Sequence, residues 1–207
     1  MTRRQIERLM MLGLTLIALV SCAIGRSPPT TFYLLTPQAE AHTPKEPNGP
    51  LVGVGPVEFP PYLDRTQIVT RTASNRIELA DLNHWAEPLA RNFADVLAED
   101  LSSQIPTERV VVYPWGAAPL AYQVVVEVSR FDASADGTVR LKARWSLYGQ
   151  DQRELLTVRQ SNITKTLQGE GFESIASALS EAVSDLGREV AAEIKRQRDK
   201  PSGKPSL

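Results

Sequence analysis

The chain has 207 residues, 42% of them hydrophobic and 23% charged, which suits a globular domain and excludes a multi-span membrane protein. A formal net charge of −1 gives no bulk attraction to nucleic acid or an anionic surface, so nucleic acid is not an expected partner and any such binding needs a local patch. A single cysteine excludes a disulfide framework.

Arg3, Arg4 and Arg8 precede an apolar stretch from Leu9 to Val20, which is shorter than the roughly 20 residues of a spanning helix. Residues 1–21 therefore read as an export signal. Leu19-Val20-Ser21-Cys22 fits a bacterial lipobox, which makes Cys22 the lipid-attachment residue; the alternative is an ordinary signal peptide with an incidental cysteine. Three acyl chains would hold the chain to a bilayer essentially permanently, where one holds only marginally. Ala23 stands where inner-membrane lipoproteins typically carry Asp, so the expected address is the outer membrane, facing the periplasm. Residues 22–30 form a small, polar tether able to reach about 30 Å.

Residues 31–196 are expected to form one periplasmic domain. Thr31 to Thr36 suits a strand, and Pro37, Pro44, Pro47 and Pro50 then force an irregular loop. Leu51 to Val57 is a second strand interrupted by Gly53, Gly55 and Pro56. Gly53-Val54-Gly55 does not make a dinucleotide loop, because the third glycine is missing and no helix opens after it. Gln67 to Arg71 and Arg76 to Leu79 flank a turn at Ala73-Ser74-Asn75 and can pair as a hairpin.

Leu89, Phe93, Val96, Leu97 and Leu101 recur at helical spacing, with Pro88 at the first helical position and Pro106 beyond the end. Val110 to Tyr113 is a short apolar run that suits a strand covered on both faces. Tyr122, Val124, Val126 and Val128 alternate with polar residues, as do Val139, Leu141, Ala143, Trp145 and Leu147 after the Asp136-Gly137 turn, and Leu155 to Thr166 extends the pair to a meander. A long helix opens near Phe172 and carries an apolar face to Ile194. The basic segment from Lys195 is expected to fray, with residues 197–207 forming a disordered tail.

Two helices and a mainly antiparallel or mixed sheet, each apolar on one side, hide those surfaces most simply as an α/β (α+β type) two-layer sandwich.

Candidate functional residues are few. Two histidines, His42 and His84, supply no metal site, and no nucleophile elbow or phosphate loop is present, so neither catalysis nor a cofactor is expected. Arg140, Lys142 and Arg144 share one strand face, with Arg159 or Lys165 possible neighbours; this is either a surface for an anionic partner or a solvated sheet face. Tyr62, Leu63, Asp64 and Arg65 follow Pro60-Pro61 on a rigid loop. They suit docking to another protein, or else Tyr62 and Leu63 tuck beneath the loop while Asp64 caps a turn. Trp85 is a further docking candidate, or a staple for chain entry into the helix.

Phe32-Tyr-Leu-Leu35, Val52-Gly-Val-Gly-Pro-Val57, Pro61-Tyr-Leu-Asp-Arg65, Ile68-Val-Thr-Arg71, Asn75 and Trp85-Ala-Glu-Pro-Leu89 together resemble the auxiliary lipoproteins of ABC-type transport systems, the PqiC/YmbA-like group. His84 stands where the resemblance leads one to expect Arg. The resemblance implies a non-catalytic outer-membrane lipoprotein that works with an MCE-domain protein, a ring- or tube-forming carrier of lipid across the periplasm, docking its distal end and supporting envelope integrity. Tethered copies around a symmetric partner would make a homo-oligomer. Two other readings stand beside it: a periplasmic lipid-binding lipoprotein, which requires an apolar cavity, and a structural envelope lipoprotein with no transport role.

Overall fold

A computed structural model describes residues 28–38, 46, 48–149 and 153–200. The export signal, Cys22, the tether up to residue 27, most of the proline-bearing loop and residues 201–207 lie outside the described residues.

Among the described residues, eight strands and two helices follow one another: β1 (Thr31–Tyr33), β2 (Val52–Glu58), β3 (Gln67–Ala73), β4 (Arg76–Trp85), α1 (Leu89–Gln104), β5 (Val110–Val112), β6 (Tyr122–Ser134), β7 (Thr138–Gly149), β8 (Glu154–Thr166) and α2 (Gly171–Arg198). All eight strands belong to one mixed sheet with both helices packed on it, the two-layer α/β arrangement expected from the sequence.

The meander β6–β7–β8 is antiparallel throughout, with Val126 opposite Trp145 and Trp145 opposite Arg159. On its other edge β6 meets two strands in succession, both parallel to it: β2 along Tyr122 to Glu127, then β3 at Ala133 and Ser134. From there β3 pairs antiparallel with β4, β4 parallel with β1, and β2 parallel with β5.

Strict alternation explains β7, where Val139, Leu141, Ala143, Trp145 and Leu147 are buried while Lys142 and Arg144 are exposed. In β6 the alternation breaks. Val124, Val126 and Val128 face the core, a bulge falls between Val128 and Arg130, and the buried positions then shift to Phe131 and Ala133. The alternation legible in the sequence, from Tyr122 to Val128, therefore stops short of the strand's end at Ser134. The sequence reading also ended the fourth strand at Leu79, whereas β4 runs on to Trp85 through mostly half-exposed polar residues that carry no period-2 signal.

Three other expectations change. Val110 to Val112 is only half-buried, because β5 pairs with β2 alone and forms an edge. Pro88 caps α1 from just outside it, its carbonyl accepting the N–H groups of Arg91 and Asn92. The last helix continues through Lys195, Arg196 and Arg198, where basic side chains complement the negative helix terminus.

The layer between sheet and helices is filled. Phe93, Leu97 and Leu101 of α1, Leu186 and Val190 of α2 and Trp145 of the sheet are all fully buried. Phe59, Phe93 and Phe131 pack edge to face with centroids 5.5–5.8 Å apart. The Trp145 indole donates to Ser161 Oγ at 3.0 Å, so the largest core side chain leaves no polar atom unsatisfied. At the helix crossing, a Cβ on Gly187 would lie 3.3 Å from Asp100 Cβ, so the absence of a side chain lets the helices close.

The segment after β1 lies across both helices as a strap. Its backbone has no strand to pair with, and helix side chains take the N–H groups instead: Leu35 to Asn92 Oδ1 at 2.7 Å, Thr36 to Ser180 Oγ at 3.0 Å and Gln38 to Asp100 Oδ1 at 3.1 Å. Leu35 itself is buried.

Candidate functional site

The loop between β2 and β3 folds into a tight turn in which Leu63 N–H and Asp64 N–H both reach Pro60 O, and Arg65 Nε donates back to Tyr62 O at 2.8 Å. Leu63 is 2% exposed and belongs to the core, so of the two loop readings the tucked one describes it. Trp85 is likewise buried at 5%, closing β4 with its N–H on Thr66 O. Both side chains are spent on packing in this conformation. Tyr62 is half-buried, and Pro61, Asp64 and part of Arg65 face outward.

Tyr62 covers a charged network that the sequence reading missed. Its hydroxyl donates to Ser129 O at 3.3 Å, and beneath it Asp132 is fully buried. Arg71 from β3 donates to Asp132 Oδ2 through Nε and Nη2, and Arg130 from β6 donates to Oδ1 at 2.8 Å. Burial, with the nearby Asp132 charge, raises the Tyr62 hydroxyl above its ordinary pKa, while the Asp132 hydrogen bonds raise that of Arg71 and hold it firmly charged. The one available signal was the two-residue spacing of Arg130, Asp132 and Ser134, which continues a polar row past the bulge.

Strand register sets these residues beside the predicted basic face. Arg71 lies opposite Ser134, Asp132 opposite Arg140, Arg130 opposite Lys142 and Glu127 opposite Arg144. Arg140, Lys142 and Arg144 do point away from the helices. Two of them are paired, Arg140 with Asp136, and Arg144 with Glu127 at 2.7 Å.

Arg159 and Lys165 do not join them. Their partners in β7 are the buried Trp145 and Val139, so both stand on the helix side, where Arg159 pairs with Glu193 at 2.8 Å and Lys165 with Asp185 at 2.7 Å.

Because β3 and β6 run parallel, their hairpin turns, at Ser74 and at Ala135–Gly137, fall at the same end of the sheet. Between them opens a depression of about 390 Å³ lined by Arg71, Arg130, Arg140, Ser134 and Asp136 among others. A smaller groove of about 260 Å³ lies between α1 and the β2–β5 edge, lined by Val54, Pro56, Ala94, Val112 and Tyr113. Among the described residues no three His, Cys, Asp or Glu side chains gather as a metal site. His84 is occupied at the β1–β4 edge, its Nε2 3.1 Å from Asp81 O and its ring edge-on to Phe32. Among the described residues no helix is long and apolar enough to cross a membrane.

Comparison with known proteins matches residues 33–191 to the family described as the ABC-type transport auxiliary lipoprotein component. The chain is similar to the intermembrane transport lipoprotein PqiC of Escherichia coli (strain K12), with 27% identity over 178 residues that span 86% of this chain and 92% of the relative. A crystal structure of an uncharacterised protein is 25% identical with a TM-score of 0.66, covering 81% of this chain and 99% of that one. Protein XCC0632 from Xanthomonas campestris shares the fold at 15% identity and a TM-score of 0.63, over 82% of this chain and 98% of its own.

Proposed function

The chain belongs to the ABC-type transport auxiliary lipoprotein family, and from that membership we propose that it is the docking subunit of an MCE-type lipid transport system, anchored in the outer membrane through acylated Cys22 and facing the periplasm. An auxiliary role in transport, carried by a lipoprotein, follows from the family itself. The observation that carries the reading is the extent of the match, which takes in nearly the whole domain from β1 to the last turns of α2.

The geometry supports docking over carriage of lipid within this domain. A lipid carrier needs an apolar cavity, and here Phe93, Leu97, Leu101, Trp145 and Leu186 fill the layer between sheet and helices. The outward part of the β2–β3 loop, Tyr62, Asp64 and Arg65, is held rigid by its own hydrogen bonds and suits a protein contact at low ordering cost. In the proposed assembly the domain catalyses no reaction; it holds the end of an MCE tube near the membrane, and several tethered copies ring that end.

The test is site-specific photocrosslinking of the full chain in its own cells, with the crosslinker at Asp64. A crosslinked MCE-domain protein is expected. Recovery of no MCE protein from this position or from Lys142, with the chain membrane-bound, would overturn the reading. Intact-mass analysis of the membrane fraction tests the anchor independently, since an unmodified Cys22 thiol would remove it.

A further inference from the structure

We propose that the depression between the β3–β4 and β6–β7 turns is a binding site for a phosphate group. The parallel register of β3 with β6 brings three guanidinium groups to it, from Arg71, Arg130 and Arg140, against two carboxylates, Asp136 in its lining and Asp132 buried behind it. The excess is one positive charge in a recess whose arginine side chains are only 17–34% exposed, where a charge acts more strongly than on open surface.

The hydrogen-bonding capacity is arranged for an incoming acceptor. Asp132, fully buried outside the lining, fixes Arg71 and Arg130 through both of its oxygens. Ser134 Oγ accepts from Arg130 Nη2 at 2.7 Å and Arg140 Nη1 at 3.4 Å, so its own proton is left to donate. Arg130 Nη1 and Arg140 Nε make no hydrogen bond among the described residues.

Asp136 is the built-in competitor. It holds Arg140 at the rim, yet it also accepts Thr138 Oγ1 at 2.6 Å and Thr138 N at 3.2 Å, bonds that survive if Arg140 turns inward. Planar guanidinium forks bind phosphate oxygens in pairs, and a recess of about 390 Å³ admits a phosphate with a small substituent. The phosphate could arrive on a lipid headgroup or as the free ion, and the chemistry of recognition is the same. This site does not rest on the docking role above.

The test is calorimetric titration of the full chain, in non-ionic detergent, with inorganic phosphate and separately with dihexanoyl phosphatidate. Saturable 1:1 binding is expected, and Arg140→Gln should weaken it about tenfold, as loss of a charge-assisted hydrogen bond does. Asp136→Asn should tighten it several-fold, a gain that misfolding would not produce. Arg144→Gln, the same charge change on the same strand but outside the recess, should leave it unaltered. Tighter binding of the short-chain lipid than of inorganic phosphate assigns the site to a headgroup, and equal binding assigns it to the free ion. No saturable binding of either ligand, or equal weakening by Arg144→Gln, would overturn the proposal.

Discussion

Arg71 places two donors, Nε at 3.1 Å and Nη2 at 2.9 Å, on a single oxygen of Asp132, a carboxylate with no exposed surface. The second oxygen is taken by Arg130, so one buried negative charge ties β3 to β6 at the point where the sheet branches. Removing that charge strands two cations in a partly dry site. Asp132→Ala should therefore lower stability by about 3 kcal/mol, read as a shift in the urea midpoint without a change in slope. A loss below about 1 kcal/mol, the size expected of an exposed pair, would mean that solvent reaches the network.

Adjacent residues of the β2–β3 loop should behave differently. Leu63→Ala empties a core position and should cost roughly 3 kcal/mol. Tyr62→Phe loses one hydrogen bond to Ser129 O and should cost about 1 kcal/mol or less. Thermal melts of the two variants separate packing from presentation, because Leu63→Ala weakens the core whereas Tyr62→Phe leaves it intact for partner-binding assays.

Acid stability should depend on Glu193. Burial on its own would raise this carboxyl, but hydrogen bonds from Arg196, Thr157 and Gln197 and the charge of Arg159 outweigh it and hold the pKa at about 2, against 4.5 for a free glutamate. The folded pKa lies below the unfolded one, so the unfolded chain binds more protons between them. The contribution, about 3 kcal/mol, is complete above pH ~4.5 and is lost as the pH falls toward 2. Denaturant titrations at steps from pH 7 to pH 2 should show this slope in the wild type and a flatter one in Glu193→Gln. Equal slopes would refute it.

Gly55→Ala should destabilise the fold by about 2 kcal/mol. Gly55 has φ of +121°, and an added Cβ would lie 2.8 Å from Tyr113 Cβ. Gly53 is crowded in another way, since its Cβ would meet Leu120 Cδ1 at 2.5 Å. The glycines of this strand thus serve close packing where β2 shifts register between Val54 and Val57. A Gly55→Ala variant with an unchanged melting temperature would contradict that.

What the sequence made readable follows the burial pattern. The helices and β7 each have one buried and one exposed side, so hydrophobic spacing located them closely. β4 escaped beyond Leu79 because most of its side chains are only partly covered on both sides, and the bulge in β6 reversed the pattern midway. Arg130 and Asp132 went unnoticed for the same reason. Their significance comes from Arg71, some sixty residues earlier, and a contact at that separation leaves no local periodicity. The basic row of β7 was legible from alternation, but which residues of β8 stand beside it depended on register, which placed Arg159 and Lys165 on the opposite side.

The strap across the helices has a mechanical consequence. Tension on the polypeptide ahead of Thr31 enters the fold at β1, which is three residues long, pairs in the sheet only with β4 among the described residues, and touches α2 through Tyr33 and Phe172. Should that strand peel away, the next resistance is the clasp of Leu35 by Asn92, set directly on α1. A molecule moored by its leading end would thus yield first at an expendable edge, while its helices and central meander stay assembled behind the clasp.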